Sequence, residues 1–371
     1  MVISSALQST LCRYQQEINR ELHAVVAEVM TCADAQELGS YYGQMQYHLG
    51  WVDTNLVPTQ NNPGKLLRPT LLLLAYEAAG AWGLAIDSSS SIDYLQRALP
   101  AAAAVELVHN FTLIHDDIED GDTERRHRPT LWRRWGIPQA INTGDGMFSL
   151  ARLTLWRVLE RGVDGATAAQ LGQILDRACL LLAEGQYLDI SFESQQHISV
   201  PMYLDMIRRK TAALMSCTAE MGARLGTSSQ EIIEQLRGFG EAIGLAFQVR
   251  DDILGIWATS AELGKTPAGD IYRRKKSLPI LYALEHANEP EKEILKYIYQ
   301  QTTPVSAEQA EAVLAVMQRT QTKTYCRAFL EQQCQLAYKT LESIPGKTGL
   351  LCARALNDMK TLVRFVEATV R

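Results

Sequence analysis

Apolar residues return at steps of three and four along most of the chain. Clear instances are ALQSTLCRYQQEINRELHAVVAEVM (6–30), KLLRPTLLLLAYEAAGAWGLA (65–85), ATAAQLGQILDRACLLLAEGQYLDI (166–190) and AEQAEAVLAVMQRTQTKTYCRAFLEQQCQLAYKTLESI (307–344). That period puts the apolar side chains on one face of an α-helix. No stretch alternates as a half-buried strand would. Breaks such as NNPGK (61–65), RHRPT (126–130), GVDGA (162–166), KTPAGD (265–270) and IPGKTG (344–349) carry the Gly, Pro and capping residues that end helices. The spacing of such breaks predicts about ten to thirteen helices. None is long enough to be a linker, and no period of repeat architecture is present. The expected architecture is a single all-α domain over residues 1–371, a helical bundle around a central apolar cavity. Its chemistry-bearing motifs lie within 60–280. The SSSS run at 88–91 reads as a loop or helix cap.

Composition narrows the function more than the fold. Hydrophobic residues make up 47% and charged residues 21% of the 371, as in ordinary globular proteins. A net charge of −6 argues against nucleic-acid binding, which depends on basic surface. It leaves room for a local basic cluster that takes a small anion. The seven cysteines (12, 32, 179, 217, 326, 334 and 352) show neither CxxC nor zinc spacing and fit reduced, packed thiols. No stretch is long and apolar enough to span a membrane, and the N-terminus lacks the core of a signal peptide. A cytoplasmic protein is expected.

The chemistry concentrates at the end of one apolar helix. AAAAVELVHNFTLI runs directly into HDDIEDGDTERRHRPT, with Gly121 ending the helix. Asp116 and Asp120 stand one turn apart on one face, with Asp117 beside them. Paired carboxylates at a helix C-terminus repel each other and oppose the dipole unless a cation joins them. Oxygen-only ligands suit a hard ion such as Mg2+, which takes one or two carboxylates plus phosphate oxygens. His109 lies about 20° around the helix from Asp116 at ~100° per residue, with Thr112 on the same stripe. Alone, this motif is as easily a solvated helix end.

A second copy weakens that bland explanation. EAIGLAFQVRDDILGIW ends another apolar helix in Asp251 and Asp252, with Gln248 one turn earlier and Lys265 after a short loop. DIYRRKKSLP then supplies Lys275 among Arg273, Arg274 and Lys276. Several of those four cations read as solvated surface. Acidic pairs with interspersed cations are what a metal-bridged diphosphate requires. With DDIED (116–120), DDILG (251–255), GKLLRP (64–69), Arg125–Arg126, EGQYLD (184–189), RRKT (208–211) and KKSLP in order, the chain resembles the trans-isoprenyl diphosphate synthases, or polyprenyl synthetases.

The resemblance implies a Mg2+-dependent transferase that condenses isopentenyl diphosphate with an allylic diphosphate. By position, Lys65, Arg68, His109 and Arg126 would hold isopentenyl diphosphate. Arg125, Lys210, Lys265 and Lys275 would contact the allylic diphosphate. Asp116, Asp120 and Asp251 would bind Mg2+, three ions in all, with Asp117 and Asp252 supporting them. Lys210, Thr211 and Gln248 would lie near the breaking C–O bond. A homodimer is implied as well.

Three positions depart from the common pattern: Pro63 for Gly, Gly255 for the last Asp of the second motif, and Ala258 for Gly. Phe111 and Thr112, five and four residues before Asp116, resemble the chain-length positions of C20 producers, with no insertion in the first motif. Phe111 is about 140° from Asp116 on the helical wheel, so a packing role is equally open. The expected product is geranylgeranyl diphosphate, with farnesyl diphosphate (C15) as the alternative. A class I terpene cyclase would not need Lys65 and Arg68, and a non-catalytic subunit would be expected to lose an aspartate or lysine of the motifs.

Overall fold

The computed structural model describes residues 5–31, 38–59, 64–80, 94–258, 268–344 and 350–368. Lys265, Pro63 and the SSSS run lie outside these residues. The helices are α1 (Ser5–Cys12), α2 (Gln15–Thr31), α3 (Leu38–His48), α4 (Leu67–Ala78), α5 (Leu99–Glu119), α6 (Leu131–Trp135), α7 (Ile137–Trp156) and α8 (Gly165–Ser194). There follow α9 (Val200–Ile207), α10 (Ala213–Gly226), α11 (Gln230–Trp257), α12 (Gly269–Tyr272), α13 (Leu278–His286), α14 (Glu289–Gln300), α15 (Ala307–Arg319), α16 (Thr322–Ser343) and α17 (Leu350–Ala368). A single π-helical turn, Arg208–Ala212, joins α9 to α10.

The core forms where helices are apolar all round. Every residue of α4 from Pro69 to Ala78 is buried, and so is α5 from Leu99 to Val108. The alanines at 101–104 let neighbours approach closely, so α5 lies against α4 on one side and α7 on the other. α10 packs between α4, α8 and α11, while α16 and α17 cover the outer faces of α11 and α4. α4, α5, α8, α10 and α11 thus present their motif-bearing ends to a common region. Local signals set the ends: Pro100 opens α5, and Gly121 at φ 67° follows its last turn. Capping boxes from Asn288 and Ser306 open α14 and α15.

The all-α expectation holds, but the described residues form seventeen helices, several of them short, rather than ten to thirteen, and three local differences stand out. The 6–30 pattern is two helices broken at Arg13–Tyr14. The 307–344 pattern is likewise two, because Gln321 takes a left-handed φ of 56°. A small antiparallel ribbon, β1 (Glu124–Arg125) with β2 (Arg128–Pro129), occupies the break after α5. No helix among the described residues is long and apolar enough to cross a membrane.

Candidate active site

α5 delivers the first carboxylates to a cluster of cations. Asp117 is 2% exposed and accepts from Arg125 Nε at 2.7 Å, and a second Arg125 nitrogen lies 3.8 Å from Asp116. Burial pushes Asp117 up to about 6 against the pull of Arg125. Lys210 reaches Asp116 at 3.2 Å and Asp189 of α8 at 2.6 Å. Burial disfavours its ammonium, but Asp189 and Asp116 more than offset that and hold it at about 12. The π turn projects Lys210 inward, a distortion typical of functional positions. Gly185 on α8 permits its approach, since a Cβ there would stand 2.3 Å from the Lys210 amide nitrogen.

Asp120 sits at the exposed lip. Desolvation, then the Asp116 charge, pushes its carboxyl up to about 6. Among the described residues no three His, Cys, Asp or Glu side chains converge as a preformed metal cage. The donor set still fits Mg2+, which takes few carboxylates and completes its shell with phosphate oxygens and water. The raised Asp120 carboxyl marks negative charge that a divalent ion would relieve.

α11 brings the second cluster. Asp252 is buried, accepting from Tyr203 Oη at 2.6 Å and from Gln248 Nε2 at 3.1 Å. Burial pushes it up to about 6, against Lys275 and these two donors. The Thr211 hydroxyl donates to Gln248 Oε1 at 3.0 Å, so Thr211, Gln248 and Asp252 form one directed chain. Asp251, its side chain 62% exposed, pairs with buried Arg250 at 3.4 Å and feels the charges of Lys275 and Lys65. Burial disfavours the charged form of Lys275, but Asp252, Asp270 and Asp189 raise its pKa above the ordinary lysine value. Asp189 therefore acts on both Lys210 and Lys275, and ties the two clusters together.

A cavity of about 770 Å³ adjoins the first cluster and shares Asp117 and Arg125 with it. Lys65, Arg68, His109 and Arg126 all line it, together with His48, Glu106, Asp117 and Arg125. Nε of Arg68 and Nε2 of His48 are buried without a hydrogen-bond partner among the described residues. Buried donors left open in this way suit an incoming anion. Burial and then the Arg68 charge keep His109 well below the ordinary histidine pKa, so it is a neutral imidazole with one N–H to donate. Burial and the neighbouring Arg126 do the same for His48. Arg126 and His127 form the two-residue turn of the β ribbon at φ 52° and 61°, where Asn or Gly is usual. The Arg126 guanidinium rests on Gly64, where a Cβ would stand 2.9 Å from its Nη2.

Every candidate residue within the described segments thus falls in one of these two regions, apart from Phe111 and Thr112. Thr112 turns its hydroxyl back onto the His109 carbonyl at 2.7 Å. Phe111 meets Phe148 of α7 and His115, with ring centroids 5.1 and 5.8 Å apart. Sequence reasoning assigned no role to His48, Asp189, Tyr203 or Arg250. Asp189 and Arg250 had a signal, as the last residue of EGQYLD and the arginine of FQVRDD.

A model of the polyprenyl synthetase family matches residues 50–317. The (2E,6E)-farnesyl diphosphate synthase of Mycobacterium tuberculosis is 40% identical over 267 residues, 72% of this chain and 70% of that protein. The geranylgeranyl diphosphate synthase of the same organism is 38% identical over 271 residues, 73% of each. The crystal structure of polyprenyl synthetase from Streptomyces coelicolor superposes with a TM-score of 0.82 at 31% identity, covering 97% of this chain and 99% of that one. The chain belongs to the polyprenyl synthetase family and is a short-chain trans-prenyl diphosphate synthase, a transferase.

One departure from the family pattern now has a physical cause. A Cβ on Gly255 would lie 2.2 Å from Asp270 Oδ2, so the Asp270 carboxylate fills the space a side chain at 255 would need. Asp270 is 4% exposed and ion-paired with Arg273 at 2.9 Å. Gly255→Ala is expected to cost about 1–3 kcal/mol, the usual penalty of overpacking. In urea unfolding, Gly255→Ala with Asp270→Ala should cost less than the two single changes added together; strict additivity would remove this steric account.

Proposed function

We propose that the chain joins isopentenyl diphosphate to an allylic diphosphate and releases geranylgeranyl diphosphate. The observation that carries this reading is the presence of two cation-lined regions that meet at Asp117 and Arg125. Lys65, Arg68, His109 and Arg126 surround the cavity, while Lys210 and Lys275 face the carboxylates. A terpene cyclase ionises one diphosphate and has no use for the first region. A non-catalytic subunit has no use for the second.

In this reading isopentenyl diphosphate lies in the cavity, where Lys65, Arg68 and Arg126 supply charge and His109 a neutral N–H. The allylic diphosphate lies across the first carboxylates, within reach of Arg125, Lys210 and Lys275; Lys265 is placed there by its motif alone. Asp116, Asp120 and Asp251 would hold Mg2+, three ions in our reading, which when bound would draw negative charge onto the leaving diphosphate. Lys210 stabilises that charge as the allylic C–O bond breaks. The Thr211–Gln248–Asp252 chain turns oxygen dipoles toward the opposite end of the bond, where positive charge develops. The double bond of isopentenyl diphosphate then attacks, held in reach by the cavity. A proton leaves to the departed diphosphate, since no side chain in the motifs is placed as an unpaired base.

Product length rests on Phe111. Its contact with Phe148 forms an aromatic plug between α5 and α7, which supports C20. The 40% identical relative named as a farnesyl diphosphate synthase favours C15 as a second reading. A homodimer is also part of this proposal. α7 and α8 expose Leu153 (61%), Trp156 (41%), Leu180 (61%) and Tyr187 (72%), a larger apolar surface than a lone chain needs to leave in water. Charges of both signs lie beside it, Arg152 pairing with Asp176 at 2.8 Å, so a second copy of the same face is complementary to it.

Incubation with isopentenyl diphosphate and C5, C10 or C15 allylic diphosphates should consume both substrates and yield C20 in a Mg2+-dependent way. Asp116→Asn should lower turnover by about 10²-fold or more, the scale of losing a charge-stabilising group. Cyclic hydrocarbon without isopentenyl diphosphate consumption would replace the synthase reading by the cyclase. Phe111→Ala should shift product toward longer chains; unchanged length would leave Phe111 a packing residue. In sedimentation velocity, wild type should run as a dimer and Leu153→Glu/Leu180→Glu as a monomer. A monomeric wild type would end the dimer proposal.

A further inference from the structure

The C-terminal helix α17 lies beyond the segment that the family model matches, yet one of its side chains meets Lys65, which lines the diphosphate cavity. Phe365 is 8% exposed, and its ring faces two cations from different elements. The Arg250 guanidinium carbon stands 4.6 Å from the ring centroid and the Lys65 ammonium 5.9 Å. Arg250 is further flanked by Phe247 of its own helix at 5.8 Å and paired with Asp251 at 3.4 Å. An aromatic face attracts cations through its quadrupole, more so where water is excluded. Here one ring offsets part of the repulsion between two positive charges that meet at it. α17 is itself fixed from outside. Asp358 accepts from Thr10 at 3.0 Å and pairs with Arg13, and the helix packs along α4, whose first turn carries Arg68.

Resting on the reading of the cavity as the isopentenyl diphosphate site, we propose that Phe365 is a positioning residue for that substrate, its ring holding Lys65 and Arg250 in place. The C-terminal helix is thereby part of the binding site. A ring lost at 365 frees Lys65 to wander into solvent and removes the nearer of the two rings that flank Arg250. Affinity for isopentenyl diphosphate falls as a result, while Lys210 and Lys275, which face the allylic diphosphate, stay held by Asp116, Asp189 and Asp252.

The test compares Phe365→Leu, Phe365→Trp and, on the same helix, Leu362→Ala, a fully buried residue without a ring to offer either cation. Titration calorimetry with isopentenyl diphosphate reads binding whether or not condensation occurs, and steady-state assays read the KM of each substrate. Phe365→Leu should weaken isopentenyl diphosphate binding about fivefold, within the range of a cation–π contact. The allylic KM should change less than about twofold, and Phe365→Trp should recover wild-type affinity. Leu362→Ala should lower the melting temperature without altering the ratio of the two KM values. Unchanged binding in Phe365→Leu, an equal rise in both KM values, or the same shift in Leu362→Ala would overturn the proposal. So would a wild type that does not bind isopentenyl diphosphate. A wild type that binds but does not condense would instead overturn the reading of the reaction and leave this one standing.

Discussion

Negative charge at the C-terminal end of α5 has to be met by positive charge, and most of the site is arranged around meeting it. The dipole of a long buried helix already makes that end unfavourable for carboxylates, and the family motif places Asp116, Asp117 and Asp120 there. Arg125 reaches back from the β ribbon and Lys210 across from the π turn. The reach of Lys210 in turn depends on Gly185, because a side chain on α8 would hold the π turn away. Two unit charges about 4 Å apart interact by about 4 kcal/mol at an effective dielectric near 20, comparable to a large share of a protein's whole stability. Spread over Arg125, Lys210 and Asp189, such energies explain how charged groups stay in place beside an apolar interior.

The cavity that adjoins this cluster solves the opposite problem, an excess of positive charge. Glu106 is buried below it, and burial raises its pKa while Arg68 pulls it down. Asn110 Nδ2 donates to the Glu106 carboxyl at 2.9 Å. Glu106 and Asp117 do not balance Lys65, Arg68, Arg125, Arg126 and Arg128, and the two histidines are kept neutral by burial and by the arginines. The unbalanced remainder is suited to a dianionic or trianionic headgroup. Keeping His48 and His109 neutral also lets them donate without adding further repulsion.

The helices and the paired aspartates were legible because both are local patterns. A 3.6-residue period is read from neighbours in sequence, and a carboxylate pair one turn apart shares a face wherever the helix goes. His48 and Tyr203 were not legible, since a histidine in QYHLG or a tyrosine in PMYLD says nothing of the element it will meet. Phe365 belongs with them: its neighbours Lys65 and Arg250 come from distant points of the chain. The β ribbon escaped for a different reason. Its turn is Arg126–His127, both at positive φ, where the usual signal would be Asn-Gly. Strain of this kind persists where surrounding contacts enforce it, and here Arg126 is laid over Gly64 in the cavity wall.

Gly255 shows how a missing motif residue can mislead. Read alone, it subtracts one carboxylate from the second cluster. In the folded chain the Asp270 carboxylate lies where a side chain at 255 would begin, so negative charge at that end of α11 comes from α12 instead. The exchange alters what else the charge can do. A carboxylate on α11 would be fixed to the helix that carries Asp251 and Asp252. Asp270 is bonded to the segment that carries Lys275, whose amide donates to the Asp270 carbonyl at 2.9 Å. Its charge is among those that keep Lys275 protonated. Placing cation and anion on one short segment makes their separation a local property, independent of small movements of α11. The second cluster is therefore built from two elements held together at Gly255, and the absence of a side chain there is a condition of that contact.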